Sequence, residues 1–259
     1  MSAGHGHRLY RPGDSPIHRL PPHCKLVALV GFVLAGVSTP REAYWAFGAY
    51  TVLLGVVAAI ARVPAGFVLR RMLVETPFVG FALLLPFVAD GPTVDVLGLT
   101  VSHDGLLGAW NILAKGTLGV IAGVLLAATT EMRALLIGLQ KLRMPPLLVQ
   151  IMSFMLRYGS VITAEMARMR IARESRGFVA RDLRQAPAVA KSAGALFIRS
   201  YERGERVHLA MLSRGYTGTM PVILDARATG TQWLAAATLP AAALVVWAAT
   251  LTLGTEFPT

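Results

Sequence analysis

Two tetrapeptides of one pattern carry the most specific chemistry in this chain: Ser175-Arg176-Gly177-Phe178 and Ser213-Arg214-Gly215-Tyr216. The chemistry is recognition, not bond making. A guanidinium presents a planar fork of donors that matches a carboxylate through two parallel hydrogen bonds. Phe178 and Tyr216 add apolar area beside the charge, the combination found at interface hot spots. Glycine after arginine suits the left-handed position that ends an α-helix, and arginine in a last turn complements the negative end of the helix dipole. One such site is ordinary stop chemistry. Two, each closing a long basic amphipathic stretch, read as matching cationic tips for two matching acidic partners.

No other residues form a reactive set. There is no Ser-His-Asp constellation, no zinc-ligand pair and no G-x-x-x-x-G-K-[ST] loop to cradle ATP phosphates, so any ATPase that drives the protein is a separate chain. Catalytic residues, a metal site and a cofactor are therefore not expected. His5, His7, His18 and His23 gather near the N-terminus. Imidazole binds divalent transition-metal ions, but Gly4, Gly6 and Gly13 read as a loose tail, so no metal role is assigned. Lys115, with Asn111 one turn away, lies inside an apolar run. An ammonium there is either functional or structural, paired with Glu75 or reaching a polar helix interface.

The elements that position the tips follow from composition. The chain has 259 residues, 54% of them hydrophobic and 15% charged, with a mean hydropathy of +0.57. Runs such as Leu118 to Thr130 and Leu234 to Leu253 carry no charge, and the second is long enough to span a bilayer. This is the composition of an integral membrane protein. The first 22 residues lack an apolar core, so no cleavable signal is expected. The lone Cys24 excludes an internal disulfide and reads as packing at the start of the first span. A net charge of +11 raises the possibility of nucleic acid, but 16 of the 25 Lys and Arg fall between Glu131 and Thr231. Such concentration in one non-spanning block marks a cytoplasmic segment instead.

Five spans are expected: Cys24 to Ser38, Ala43 to Ala61, Met72 to Ala89, Leu106 to Thr130 and Gln232 to Leu253. The third holds Glu75, Pro77, Gly80 and Pro86 and should be kinked. Basic and non-basic loops alternate, which places the N-terminus in the cytoplasm and the C-terminus outside. The outer loop from Val94 to Val101 alternates apolar and polar residues around Gly98, a hairpin pattern. Between the last two spans, Glu131 to Leu142 reads as a short amphipathic helix stopped by Pro145-Pro146. Two long helices follow, Leu147 to Arg176 and Pro187 to Arg214, each roughly 40 Å long at 1.5 Å per residue. Their apolar stripes include Ile151, Met155 and Met166 on the first, and Val189, Phe197 and Tyr201 on the second. Neither stripe can be buried by its own helix. The fold is therefore read as all-α: residues 1–130 a membrane domain, 131–231 a cytoplasmic module of coupling helices, and 232–259 a last span.

At this level of detail the chain resembles a known family. The stretch from Tyr201 to Tyr216, with Met220-Pro221 just after it, looks like the transmembrane T component of energy-coupling-factor transporters, with the cobalt branch, CbiQ, the closest likeness. The opening from Gly13 to Leu26 is also similar, and the resemblance runs through the whole chain in order. It implies a non-catalytic scaffold in the cell membrane of a prokaryote, joining two ATP-binding cassette ATPase subunits to a substrate-binding membrane subunit. It further implies that Ser175, Arg176, Gly177, Ser213, Arg214 and Gly215 dock the ATPases, and that the cargo is Co²⁺, with Ni²⁺ or a vitamin as alternatives. Family tripeptides often begin with alanine; here both begin with serine, another small residue. A conventional importer permease is the other reading, but it carries one docking element per chain.

Overall fold

A computed structural model describes residues 9–89, 92–96, 99–178, 186–218 and 228–253. The chain divides into two compact units, Gly6–Gly138 with Ala226–Thr259, and a second built from Leu139–Asp225.

The first unit holds α1 (Pro16–Arg19), α2 (Pro22–Ser38), α3 (Tyr44–Ile60), α4 (Ala65–Arg71), α5 (Thr76–Val88), α6 (His103–Thr129), most of α7 (Met132–Lys141) and α10 (Gly230–Leu253). It is a helical membrane bundle. Two of its segments, Ala65–Val88 and His103–Thr129, together with Gly230–Thr252, are long and apolar enough to cross a bilayer; α2 and α3 are apolar but have 17 residues each. The bundle centres on α2, which packs on α10 and α6 and meets α3 through the Phe32 and Tyr50 rings. Its core gathers Phe32, Phe47, Tyr50, Leu54, Leu118 and Leu125, all buried. Tyr50 meets the rings of Phe32 at 5.7 Å and Phe47 at 6.5 Å, both edge-on, an arrangement favoured by the ring quadrupoles.

At about 26 Å, α2 is shorter than a hydrocarbon core of roughly 30 Å. Its last carbonyls still need partners, and neighbouring helices supply them. Lys115 Nζ on α6 donates to Val37 O at 2.8 Å, and Trp247 Nε1 on α10 donates to Ser38 O at 3.2 Å. The Thr39 hydroxyl donates to Ala35 O at 2.8 Å. The Tyr50 hydroxyl lies 2.9 Å from that of Thr39 and 3.3 Å from Ala243 O. Of the readings open for Lys115, the reach to a polar helix interface is formed and the pairing with Glu75 is not. Lys115 completes a helix end, and the buried Glu75 accepts from Thr117 Oγ1 at 2.9 Å. The Oδ1 atom of Asn111 is buried and unbonded among the described residues.

The third span also departs from expectation. Its helix begins at Ala65 instead of Met72, so Arg70 and Arg71 are helical and not loop. Met72–Glu75 then form a 3₁₀ turn before α5. Pro77 explains the break: it has no N–H for the carbonyl of Leu73, four residues back, and the Thr76 hydroxyl takes that carbonyl instead at 2.6 Å. The segment α5 packs on α6 at Gly105, where a Cβ would come within 2.7 Å of Leu85 O and 2.8 Å of Pro86 Cα. Much of the rest of α5 faces outward, with Phe81 and Leu83 exposed, the natural surface of a lipid-facing span. The hairpin is present: β1 (Thr93–Val96) pairs antiparallel with β2 (Leu99–Ser102), Thr93 opposite Ser102 and Val96 opposite Leu99. Cys24 is fully buried beside Ala28 and Ala236.

The second unit consists of α8 (Pro146–Glu174) and α9 (Ala186–Leu212). All four ends fall within two residues of those expected from the apolar spacing. By length and hydropathy alone α8 also qualifies as a candidate span, yet its second half carries Glu165, Arg168, Arg170, Arg173 and Glu174.

Candidate functional site

The two tips are built alike. At the end of α8, Gly177 has φ of 75°. Its N–H bonds Glu174 O at 3.0 Å, and the Phe178 N–H bonds Arg173 O at 3.1 Å. At the end of α9, Gly215 has φ of 80°; its N–H bonds Leu212 O at 3.0 Å, and the Tyr216 N–H bonds Met211 O at 3.1 Å. Each is a Schellman motif with glycine in the left-handed position that a Cβ would strain. The serine hydroxyls turn back in the same way, Ser175 to Ala172 O at 3.1 Å and Ser213 to Ala210 O at 3.0 Å. Arg176 and Arg214 therefore occupy equivalent half-helical positions immediately before the reversal. Both are exposed, and among the described residues neither has a salt bridge. A pair of free guanidiniums in one repeated geometry can each receive a carboxylate.

Three contacts fix how α8 and α9 pair. The Tyr216 hydroxyl donates to Gln150 Oε1 at 2.6 Å, Arg199 Nη1 donates to Glu165 Oε1 at 2.7 Å, and Arg173 Nη1 donates to Ser192 Oγ at 3.2 Å. As position rises along one helix it falls along the other, so the pair is antiparallel. The two tips consequently sit at opposite ends of it, about one helix length or ~40 Å apart. Glu165 is the central clamp. Arg168 and Arg199 both bond it, and their hydrogen bonds, Arg168 first, hold its carboxyl below the usual carboxylate range.

Sequence reading assigned Phe178 and Tyr216 the same supporting role. The structure distinguishes them: both are half-buried, but the Tyr216 hydroxyl is committed to Gln150 within the chain. Glu165 and Gln150 were not singled out from sequence. The i, i+3 spacing of Glu165 and Arg168 is visible there, whereas the Arg199 and Tyr216 contacts require the antiparallel register. The apolar stripes remain largely uncovered: Met155 is 68% exposed, Phe197 72% and Tyr201 68%.

The histidines divide. His5 and His7 lie outside the described residues. His18 is held locally, its Nδ1 2.7 Å from the Ser15 hydroxyl and its Nε2 3.1 Å from Arg11 O. His23 is buried, with its ring 5.6 Å from that of Trp233. Among the described residues no three His, Cys, Asp or Glu side chains converge to hold a metal.

The family model of the cobalt transport protein CbiQ matches residues 13–223, a range that includes both tips and the paired helices. The chain belongs to the CbiQ family. Relatives agree with this. The energy-coupling factor transporter transmembrane protein EcfT of Bacillus subtilis is 29% identical over 224 residues, covering 81% of this chain and 83% of that protein. EcfT of Thermanaerovibrio acidaminovorans is 30% identical over 228 residues, covering 81% and 82%. A Methanocorpusculum labreanum protein, named as a fused cobalt transport protein CbiMQ, is 27% identical over 216 residues, 80% of this chain and 36% of its own. This CbiQ-family chain is thus the transmembrane component of an energy-coupling-factor type transporter, a multi-pass membrane protein of a non-catalytic subunit class.

Proposed function

We propose that the chain couples two separate ATPase subunits to a substrate-binding membrane subunit for uptake of Co²⁺. The observation that carries this reading is the repeated tip at opposite ends of one antiparallel helix pair. Each tip, Ser175-Arg176-Gly177 and Ser213-Arg214-Gly215, seats its guanidinium in an acidic groove of one ATPase. When ATP draws the two ATPases together, the tips are driven relative to each other, and the helices clamped by Glu165 carry that motion as levers. The open stripe with Phe197 and Tyr201 gives the module an apolar surface for the membrane components. Residues 131–231 form this coupling module on the cytoplasmic side, between the spans of residues 1–130 and the last span of 232–259. A conventional permease that pairs with itself has no use for two docking points on one chain.

The reading is tested by purifying the complex and measuring ATP-dependent uptake after reconstitution. Two ATPase subunits per chain and Co²⁺ uptake exceeding Ni²⁺ uptake are expected. Replacing His5 and His7 with Ala should leave that preference unchanged, because selection is assigned to the substrate-binding subunit. One ATPase per chain, or transport by the chain and ATPases alone, would return the protein to the permease class. Ni²⁺ or vitamin uptake without Co²⁺ uptake would replace the cargo and leave the coupling intact.

Orientation follows the basic bias. Reporter fusions at Gln185 should be cytoplasmic, and fusions at Thr93 and Thr259 should be outside. A cytoplasmic signal at Thr259 would remove one span from the five.

A further inference from the structure

We propose that the membrane unit holds one anionic phospholipid, with an acyl chain lodged in the cavity among α2, α3, α6 and α10. The cavity measures about 290 Å³, many times the space of roughly 10–15 Å³ that one water requires. Phe32, Leu54, Val57, Leu125, Ala236 and Leu239 form much of its wall, a lining that suits hydrocarbon rather than water. Ala235 and Thr238, exposed on α10, border its open side.

Charge selects the class of lipid. Among the described residues of the lining the one ionised side chain is Lys25, which is 7% exposed. Its Nζ bonds neutral acceptors only: Thr129 O at 2.9 Å, Thr130 Oγ1 at 3.1 Å and His18 O at 3.3 Å. These orient the ammonium without neutralising it, and among the described residues no carboxylate pairs with it. A cation in surroundings of low dielectric attracts an anion over a longer range than one in water. A second cation lies close in sequence to the lining. Ile60 lines the cavity, and two residues on, Arg62 turns the chain with φ of 54°. Glycine fits that conformation without strain; arginine does not. Its exposed guanidinium has no ion-pair partner among the described residues. The turn is the stop of α3, with the Arg62 N–H on Ala59 O at 3.0 Å and the Val63 N–H on Ala58 O at 3.0 Å, so the guanidinium is held at the end of the helix whose Ile60 lines the cavity. Basic pockets between spans on the cytoplasmic side are established sites for anionic headgroups. A partner helix would fill the slot but leave Lys25 without a counter-ion, whereas one phospholipid supplies both chain and charge. Assignment to the cytoplasmic leaflet rests on the orientation proposed above; the slot and its cations do not.

Native mass spectrometry of the full chain, released from micelles with equal phosphatidylglycerol and phosphatidylcholine, tests this. One phosphatidylglycerol per chain should be retained, at roughly tenfold the level of phosphatidylcholine, a ratio that corresponds to about 1.4 kcal/mol. Ala235→Trp and Thr238→Trp fill the slot from exposed positions and should each remove that lipid. Arg62→Gly, which suits the backbone, should keep the fold and lower the preference severalfold. Equal retention of the two lipids overturns the proposal, as does phosphatidylglycerol binding indifferent to both tryptophans and to Arg62→Gly.

Discussion

With Arg176 and Arg214 both replaced by glutamate, no ATPase subunit should co-purify with the chain, and uptake should fall to background. Each guanidinium stands exposed before a glycine reversal, so the substitutions leave the Schellman bonds and the Glu165 clamp in place. What changes is the partner contact. Truncating one member of a buried, hydrogen-bonded charge pair costs roughly 2–5 kcal/mol, and a carboxylate facing an acidic groove costs no less. Since ~1.4 kcal/mol is tenfold in affinity, either single reversal should weaken one dock by at least about 25-fold. The single variants should retain one ATPase, and the double variant none. Membrane insertion and helical content should match the parent chain. If the double variant assembled and transported fully, the tips would be helix stops and nothing more.

Lys25→Met should produce the largest loss of stability among single substitutions in the membrane unit. The side chain fits by length, but Thr129 O and Thr130 Oγ1, both in buried residues, lose their donor. A buried acceptor left unsatisfied costs roughly 1–3 kcal/mol, so two cost about 2–6 kcal/mol. For a chain of this size that corresponds to a fall in melting temperature of roughly 5 °C or more, at ~2–4 °C per kcal/mol. Thermal unfolding of the detergent-solubilised protein measures it. Lys25→Arg keeps the donors and should fall between the two. A melting temperature for Lys25→Met within a degree of the parent would mean that Thr129 and Thr130 find other partners, and that the ammonium does not tie α2 to the end of α6.

Much of the site was legible because it is local. A Schellman stop involves six consecutive residues, and glycine is the residue that takes its left-handed position cheaply. The pattern Ser-Arg-Gly-aromatic therefore announces its own geometry, and two copies announce a repeated tip. The long helices were legible for a related reason, since apolar residues at spacings of three and four fix period and length together. The kink in the third span was visible in Pro77, but its start was misplaced by seven residues. A span starting at Met72 leaves Arg70 and Arg71 in the loop before it. In the structure the helix carries those arginines, and Arg71 lies 5.2 Å from the ring centre of Phe67.

By itself, then, the sequence determined the class of protein, most of its apolar helices and the two stops, because hydropathy, helical period and glycine backbone freedom act over a few residues. Tertiary structure alone decided where the tips stand relative to each other and what Lys25 and Lys115 bond. The antiparallel pairing of α8 and α9 rests on Gln150 with Tyr216 and Glu165 with Arg199, residues 66 and 34 positions apart. Lys115 serves Val37 across 78 positions, and Lys25 serves Thr129 across 104. Local pattern cannot select such partners. An ammonium donates to any carbonyl that lies within reach, and which carbonyl lies within reach is settled only when the helices pack.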